Sequence, residues 1–282
     1  MVAHNPSSEM APSKALVVAR DGYHLHAQVT PPAMADAPWI VFGNSLVTDL
    51  SIWDAQADAL SGTYGILRYD QAGHGRSGQP NGPVDFDALG ADLLAVMDAA
   101  GVESGVYVGL SMGVPTGLAA HIQAADRFSA LVFSDGQAKT APGGAAGWAE
   151  RIEGARASGM AAFAEATTGR WLTEGTGDAP RARLTQMIAA TPFEGFELCA
   201  TALKDYDYAD ELARITCPTL LIAGAQDGAM PAGMATKLQP AIANAQMHVI
   251  DAAGHVPCFE QPEAFTALLS GFLATNFGGS RP

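Results

Sequence analysis

Cysteine and positive charge are both scarce in this sequence of 282 residues. The three cysteines, Cys199, Cys217 and Cys258, stand far apart and form no C-x-x-C pair. Neither a zinc site nor a disulfide framework can be read from them, and a sparse, odd count fits a reducing compartment. Lys and Arg together number 15 against 29 Asp and Glu, a formal net charge of −14. Such a chain lacks the concentrated positive charge that nucleic acid or an anionic membrane surface demands of a partner. No run approaches the ~18 uninterrupted apolar residues of a membrane-crossing helix. Residues 1–13 are polar and lack a basic start followed by an apolar run. The expectation there is a flexible tail with no signal peptide, and for the whole chain a cytoplasmic location.

What remains is rich in apolar residues, 48 % against 16 % charged, enough for a large core and too much for wholesale disorder. At about 150 residues per domain the length fits one or two domains, and a single α/β domain often reaches this size alone. Strand-like runs at 15–19 and 23–29 flank Asp21-Gly22, a strong hairpin signal. Short apolar strands follow at 39–42, 65–69, 105–108, 130–133, 219–223 and 247–250. Helical patterns alternate with them at 51–60, 85–100, 113–125 and 262–275. The 85–100 helix shows Leu89, Leu93, Val96 and Met97 at helical spacing and a stop at Gly101. This alternation predicts a mostly parallel sheet with helices on both faces.

The rhythm breaks over residues 137–212, where helical patches at 148–157, 160–167, 182–190 and 193–203 occur without a clear strand. So long a stretch is an inserted helical lid rather than a loop. The core domain is then expected over 14–136 and 213–282.

Gly109-Leu110-Ser111-Met112-Gly113 lies where an apolar strand ends and a helix begins. A serine on that sharp turn projects from the carboxyl edge of the sheet, and glycines on either side tolerate the crowding. Serine needs a base to act as a nucleophile at neutral pH. Of the seven histidines, His4 falls in the tail, His24 and His26 in the hairpin, His121 in a helix and His248 beside a strand. His74 sits in the glycine-rich turn Gln71-Ala72-Gly73-His74-Gly75-Arg76-Ser77-Gly78, where shaping the edge of the site is the expected role. His255 follows the last strand, at the same edge as the serine. The acid that orients the histidine is expected at Asp227, after the 219–223 strand, with Asp135, after the 130–133 strand, as the rival. Asp70 is expected to be structural. The backbone N–H groups of Met112 and Leu46 are the expected oxyanion donors, with Ser45 as the alternative to Leu46.

With these residues in place the chain resembles the α/β-hydrolase family over about residues 15–275. Within it the chain looks most like the 3-oxoadipate enol-lactone hydrolases. The resembling pieces are the stretches 43–53 and 67–77, the pentapeptide 109–113 and the pattern Trp148-x-x-Arg151. The resemblance implies an α/β-hydrolase fold and a triad of Ser111, Asp227 and His255, in agreement with the reading of the residues themselves. It departs at Val114-Pro115, where the subgroup has a second glycine; a proline in the first helical turn forfeits only an N–H that lacks a partner there anyway.

The expected activity is hydrolysis of a small ester or lactone, through an acyl-enzyme and without metal or organic cofactor. An enol-lactone-like, carboxylated intermediate of aromatic-compound breakdown is one such substrate. Carbon–carbon bond hydrolysis, cofactor-free perhydrolase chemistry and non-catalytic ligand binding are the alternatives on the same scaffold. The Gln71–Gly78 turn lacks the lysine-bearing signature of a phosphate loop. If the substrate carries a carboxylate, one of seven basic residues in the lid must meet it: Lys139, Arg151, Arg156, Arg170, Arg181, Arg183 or Lys204. Arg151 is the first candidate. Trp148, Trp171 and Phe163 are candidate pocket walls. The oligomeric state cannot be read from the sequence.

Overall fold

Asp21-Gly22 makes the turn that its composition demands, with Gly22 at φ +80°. It joins β1 (Lys14–Arg20) to β2 (Tyr23–Thr30) as an antiparallel pair that closes on Arg20 opposite Tyr23. The structure is a computed structural model and describes residues 12–278, so most of the expected tail, with His4, lies outside the described residues.

Six further strands follow: β3 (Trp39–Gly43), β4 (Gly65–Tyr69), β5 (Gly105–Leu110), β6 (Phe128–Ser134), β7 (Thr219–Gly224) and β8 (Ala245–Ile250). The sheet order is β1-β2-β4-β3-β5-β6-β7-β8. The β1–β2 and β2–β4 pairs are antiparallel; along the sheet from β4 to β8 every pair is parallel. Every residue of β4, β5 and β7 is buried, so both faces of the central sheet are covered, as a parallel sheet requires.

The covering helices include α1 (Asp54–Leu60), α2 (Phe86–Ala99) and α3 (Gly113–Gln123). The helix read at 51–60 opens instead with a 3₁₀ turn, Leu50–Trp53, because the Asp49 carboxylate accepts from the Ser51 N–H at 2.8 Å and fixes that entry. Trp53, fully buried, packs against Phe42 with ring centroids 4.8 Å apart. In α2 the expected stripe of Leu89, Leu93, Val96 and Met97 is buried, Asp85 caps its first turn, and Gly101 at φ +70° lets the chain turn away.

Between β6 and β7 the chain forms α4 (Gly144–Trp171), α5 (Asp178–Ala189) and α6 (Phe193–Ala202). The stretch read as two helices, 148–157 and 160–167, is one run interrupted at Gly159, whose φ of 80° and ψ of 160° are not helical. Entry and exit lie side by side. Lys139 and Asp207 form an isolated antiparallel bridge, Thr140 N–H donates to the Tyr206 carbonyl at 3.0 Å and Tyr208 N–H to the Ala138 carbonyl at 2.8 Å. After β7 come α7 (Met230–Gly233), then β8, then α8 (Pro257–Glu260) and α9 (Pro262–Phe277). Phe265 of α9 packs at a tilt against Trp53, the residue before α1, with centroids 5.8 Å apart, which ties the last helix to the entry of the first.

Parallel strands end at one edge, and there the loops after β7 and β8 are in close contact. A methyl group on Gly224 would lie 1.9 Å from the Gly254 carbonyl oxygen, and that oxygen belongs to backbone, not to a flexible side chain. Gly224→Ala is therefore expected to lower stability by about 2–3 kcal/mol through overpacking, read as a lower midpoint in urea unfolding.

Candidate active site

The strand-to-helix turn forces Ser111 out of the sheet. Its φ of 53° is one of four positive values among the described non-glycine residues. The turn is pinned by Ser111 N–H donating to the Ser134 carbonyl at 2.8 Å and Val114 N–H donating to the Ser111 carbonyl at 3.0 Å. The crowding expected at the flanking glycines is present: a Cβ on Gly113 would stand 2.7 Å from the Gly43 carbonyl oxygen.

Three loops bring their side chains into one line. Ser111 Oγ lies 2.8 Å from His255 Nε2, and His255 Nδ1 lies 2.8 Å from Asp227 Oδ2. An ionised carboxylate can only accept, so Nδ1 carries the proton and donates it to Asp227. That leaves the Nε2 lone pair facing the serine, whose hydroxyl donates to it. The His255 and Asp227 side chains are only 12 % and 17 % exposed, which strengthens both bonds relative to water.

The rival acid sits elsewhere. Asp135 is completely buried at φ 47°, and its carboxyl accepts from Ser134 Oγ at 2.7 Å and from Gly224 N–H at 2.8 Å. Neither of its oxygens meets the imidazole; the structure places Asp227 there. Burial first, and the neighbouring Asp227 carboxylate second, push the Asp135 pKa well above the ordinary carboxylate range.

The two expected oxyanion donors also converge. Leu46 and Met112, both buried, line the same cavity as Ser111. Among the described residues their N–H groups donate to no protein acceptor. Ser45 does not line the cavity; its carbonyl is held by Thr48 N–H at 3.3 Å and by Gln71 Nε2 at 2.9 Å.

That cavity has a volume of about 380 Å³. Its floor is the carboxyl edge of the sheet, and α4 supplies much of its roof through Trp148, Arg151, Arg170 and Trp171. Trp171 packs at a tilt against His255 with ring centroids 4.9 Å apart, and its carbonyl accepts from His255 N–H at 2.8 Å. Phe163, expected in the wall, packs instead against Phe196 at 4.6 Å, because its side of α4 faces α6. Tyr206, which the sequence reading passed over, also lines the cavity.

The seven basic residues now separate. Lys139 pairs with Asp207, Arg156 with Glu153 and Glu197, and Arg183 with Asp54, while Arg181 donates to the Thr173 carbonyl. Of the seven, only Arg151 and Arg170 line the cavity, and among the described residues neither makes an ion pair. Arg151 lies over the Trp148 ring at 4.6 Å. Desolvation, then the like charge of Arg170, pull its pKa below the usual guanidinium value. A straight helix rising about 1.5 Å per residue would hold these two arginines about 28 Å apart; the break at Gly159 brings both to one cavity.

A further contributor carried no sequence signal of its own. Glu260 accepts from Gly254 N–H at 2.7 Å, from Thr173 N–H at 2.7 Å, from Thr173 Oγ1 at 2.6 Å and from Thr176 Oγ1. It binds the loop of His255 to the chain leaving α4. His74, by contrast, is fully buried outside the cavity, donates Nδ1–H to the Ala72 carbonyl at 3.0 Å, and is pulled down by burial to a pKa of about 4. Asp70 accepts from Leu50 N–H at 2.7 Å and Arg76 N–H at 2.9 Å, the structural role expected of it. Among the described residues no cluster of three His, Cys, Asp or Glu side chains stands ready for a metal, and no helix is long and apolar enough to cross a membrane.

Comparison with known proteins bears on the fold and the family. The family profile described as alpha/beta hydrolase fold matches residues 38–262. A 3-oxoadipate enol-lactonase 1 of Acinetobacter baylyi is 34 % identical over 92 % of this chain and 96 % of its own length. A 3-oxoadipate enol-lactonase 2 of the same organism is 35 % identical over 82 % of this chain and 86 % of its own. The crystal structure of the enol-lactonase from Burkholderia xenovorans superposes with a TM-score of 0.84 at 34 % identity, covering 92 % of this chain and all of that one.

Removing the Glu260 carboxylate strands the Gly254 and Thr173 N–H groups. Glu260→Ala is expected to cost about 2–3 kcal/mol of stability, read by denaturant unfolding, and to slow turnover by loosening the loop of His255.

Proposed function

This chain belongs to the α/β-hydrolase family, and we propose that it hydrolyses a small, carboxylate-bearing lactone or ester by covalent catalysis at Ser111. The observation that carries this reading is the unbroken line from Ser111 Oγ through His255 to Asp227, at 2.8 Å for each bond. His255 Nε2 takes the serine proton as Oγ attacks the carbonyl carbon, and Asp227 stabilises the imidazolium that forms. The oxygen of the tetrahedral intermediate is held by the N–H groups of Leu46 and Met112. His255 then returns the proton to the leaving oxygen. In a lactone that oxygen stays tethered to the acyl chain, so the cavity must hold the opened ring until water, deprotonated by the same histidine, releases Ser111. The roof of aromatic side chains supplies apolar walls for that chain.

The carboxylate preference rests on Arg151 and Arg170. Two guanidinium groups without acidic partners face one cavity and repel each other there, an arrangement that an anion between them would relieve. Relatives named as 3-oxoadipate enol-lactonases support the same class of substrate.

Two measurements test the proposal. A fluorophosphonate probe is expected to add its mass to the peptide containing Ser111 and to leave Ser111→Ala unlabelled; equal labelling of both overturns the mechanism. For specificity, Arg151→Ala is expected to lower the ratio of kcat/KM for an acidic over a neutral lactone about tenfold, ~1.4 kcal/mol. An unchanged ratio removes the carboxylate from the proposal and leaves a neutral ester.

A further inference from the structure

Asp135 is the one carboxyl group in the site that the chemistry above does not use, and its surroundings are incompatible with an idle turn residue. Its side chain has no solvent exposure, and its backbone is held in the left-handed region at φ 47° by its own N–H donating to the Ile222 carbonyl at 3.1 Å. One oxygen, Oδ1, accepts from the N–H of Gly224. Gly224 opens the tight turn whose last residue, Asp227, donates its N–H back to the Gly224 carbonyl at 3.1 Å. Asp135 therefore grips the base of the loop that presents Asp227, and the two side chains are neighbours lining one cavity.

Two carboxylates cannot share a buried site while both are ionised. Of the two, Asp227 has a cationic partner whenever His255 is protonated and keeps some contact with solvent; Asp135 has neither. The titratable groups facing Asp135 are Asp227, His255 behind it, and the buried thiol of Cys258, none of which supplies positive charge to Asp135 itself.

We propose that Asp135 is a positioning residue that remains a neutral acid and donates its O–H to the Asp227 carboxylate, fixing the oxygen that Asp227 offers to His255. Oδ1 receives the Gly224 N–H and Oδ2 the Ser134 hydroxyl, so both oxygens accept and the acid O–H is left to donate to Asp227. The pair then holds one proton and one negative charge, matched to the single positive charge of the imidazolium. This inference rests on the Ser111–His255–Asp227 reading above.

An asparagine at 135 can keep the same three partners without a titratable proton, with the Ser134 bond reversed: its amide donates to Asp227 and to Ser134 Oγ, and its carbonyl accepts from Gly224. The test compares Asp135→Asn, Asp135→Ala and Asp227→Asn in hydrolysis of 4-nitrophenyl acetate, with melting temperatures from pH 4 to pH 9. Asp135→Ala is expected to lose at least tenfold in kcat with KM within twofold of wild type. Asp135→Asn is expected to recover kcat to within threefold.

The melting data carry a sign. A folded chain that keeps a proton lost by the unfolded chain becomes less stable as pH rises above the ordinary carboxylate range, and the penalty vanishes below it, where both states are protonated. Asp135→Asn removes that penalty. Its melting temperature is expected to exceed wild type by about 3 °C or more at pH 8 and to converge with it near pH 4.

Wild-type kcat in Asp135→Ala, an Asp135→Asn as impaired as Asp227→Asn, or a melting difference independent of pH each overturns the inference. If Asp135→Ala fails to fold, the asparagine variant decides alone by the same two readings. Undiminished activity in Asp227→Asn is a different result: it overturns the catalytic reading on which the inference stands.

Discussion

The loops after β7 and β8 touch through bare backbone, Gly224 against the carbonyl of Gly254, and that contact sets the spacing of the site. Asp227 lies three residues beyond the first glycine and His255 one residue beyond the second, so their separation follows from how closely two main chains can approach. Ser111 is placed by the same kind of constraint, on a turn where the Gly113 and Gly43 backbones leave no space for a methyl group. Hydrogen bonds of 2.8 Å between three side chains from three distant segments are possible because little in their supports can move.

A second layer of polar contacts orients what the backbone spaces. Asp135 holds the turn of Asp227, Glu260 holds the loop of His255, and the carbonyl of Trp171 takes the His255 N–H. Glu260 and Trp171 also join the sheet edge to the end of α4. The roof of the cavity and the imidazole thus share anchors, and disturbance of one reaches the other without passing through a bound substrate.

How far the sequence could be read follows from the range of the interactions involved. The hairpin at Asp21-Gly22, the amphipathic α2 and the turn at Ser111 are set by neighbours within a few positions, and each was legible. Asp227 and His255 were legible one step further, because a parallel sheet delivers all of its strand ends to one edge. The sequence favoured Asp227 but left Asp135 as its rival, since both follow strands; the direction of the carboxyl groups separates them. Phe163 and Trp171 look alike in a helical segment, and their fates diverge only where α6 covers one of them. Nothing in the sequence set Arg170 apart from the other basic lid residues behind Arg151; the shape of the cavity, which only these two of the seven line, does so. Glu260 gave no sign because its four donors come from segments 6 to 87 residues away.

Gly159 divides labour within the chain. The residues that face the bond to be broken stand on loops of the sheet, whereas both unpaired arginines stand on arms of a helix that folds back at a single non-helical residue. On the proposed function, recognition and bond cleavage are therefore encoded in separate stretches of sequence, which meet across the cavity and at the end of α4. A lineage of such proteins can exchange the side chains of the arms, or change the angle between them, and acquire new substrates while the reacting groups remain as they are.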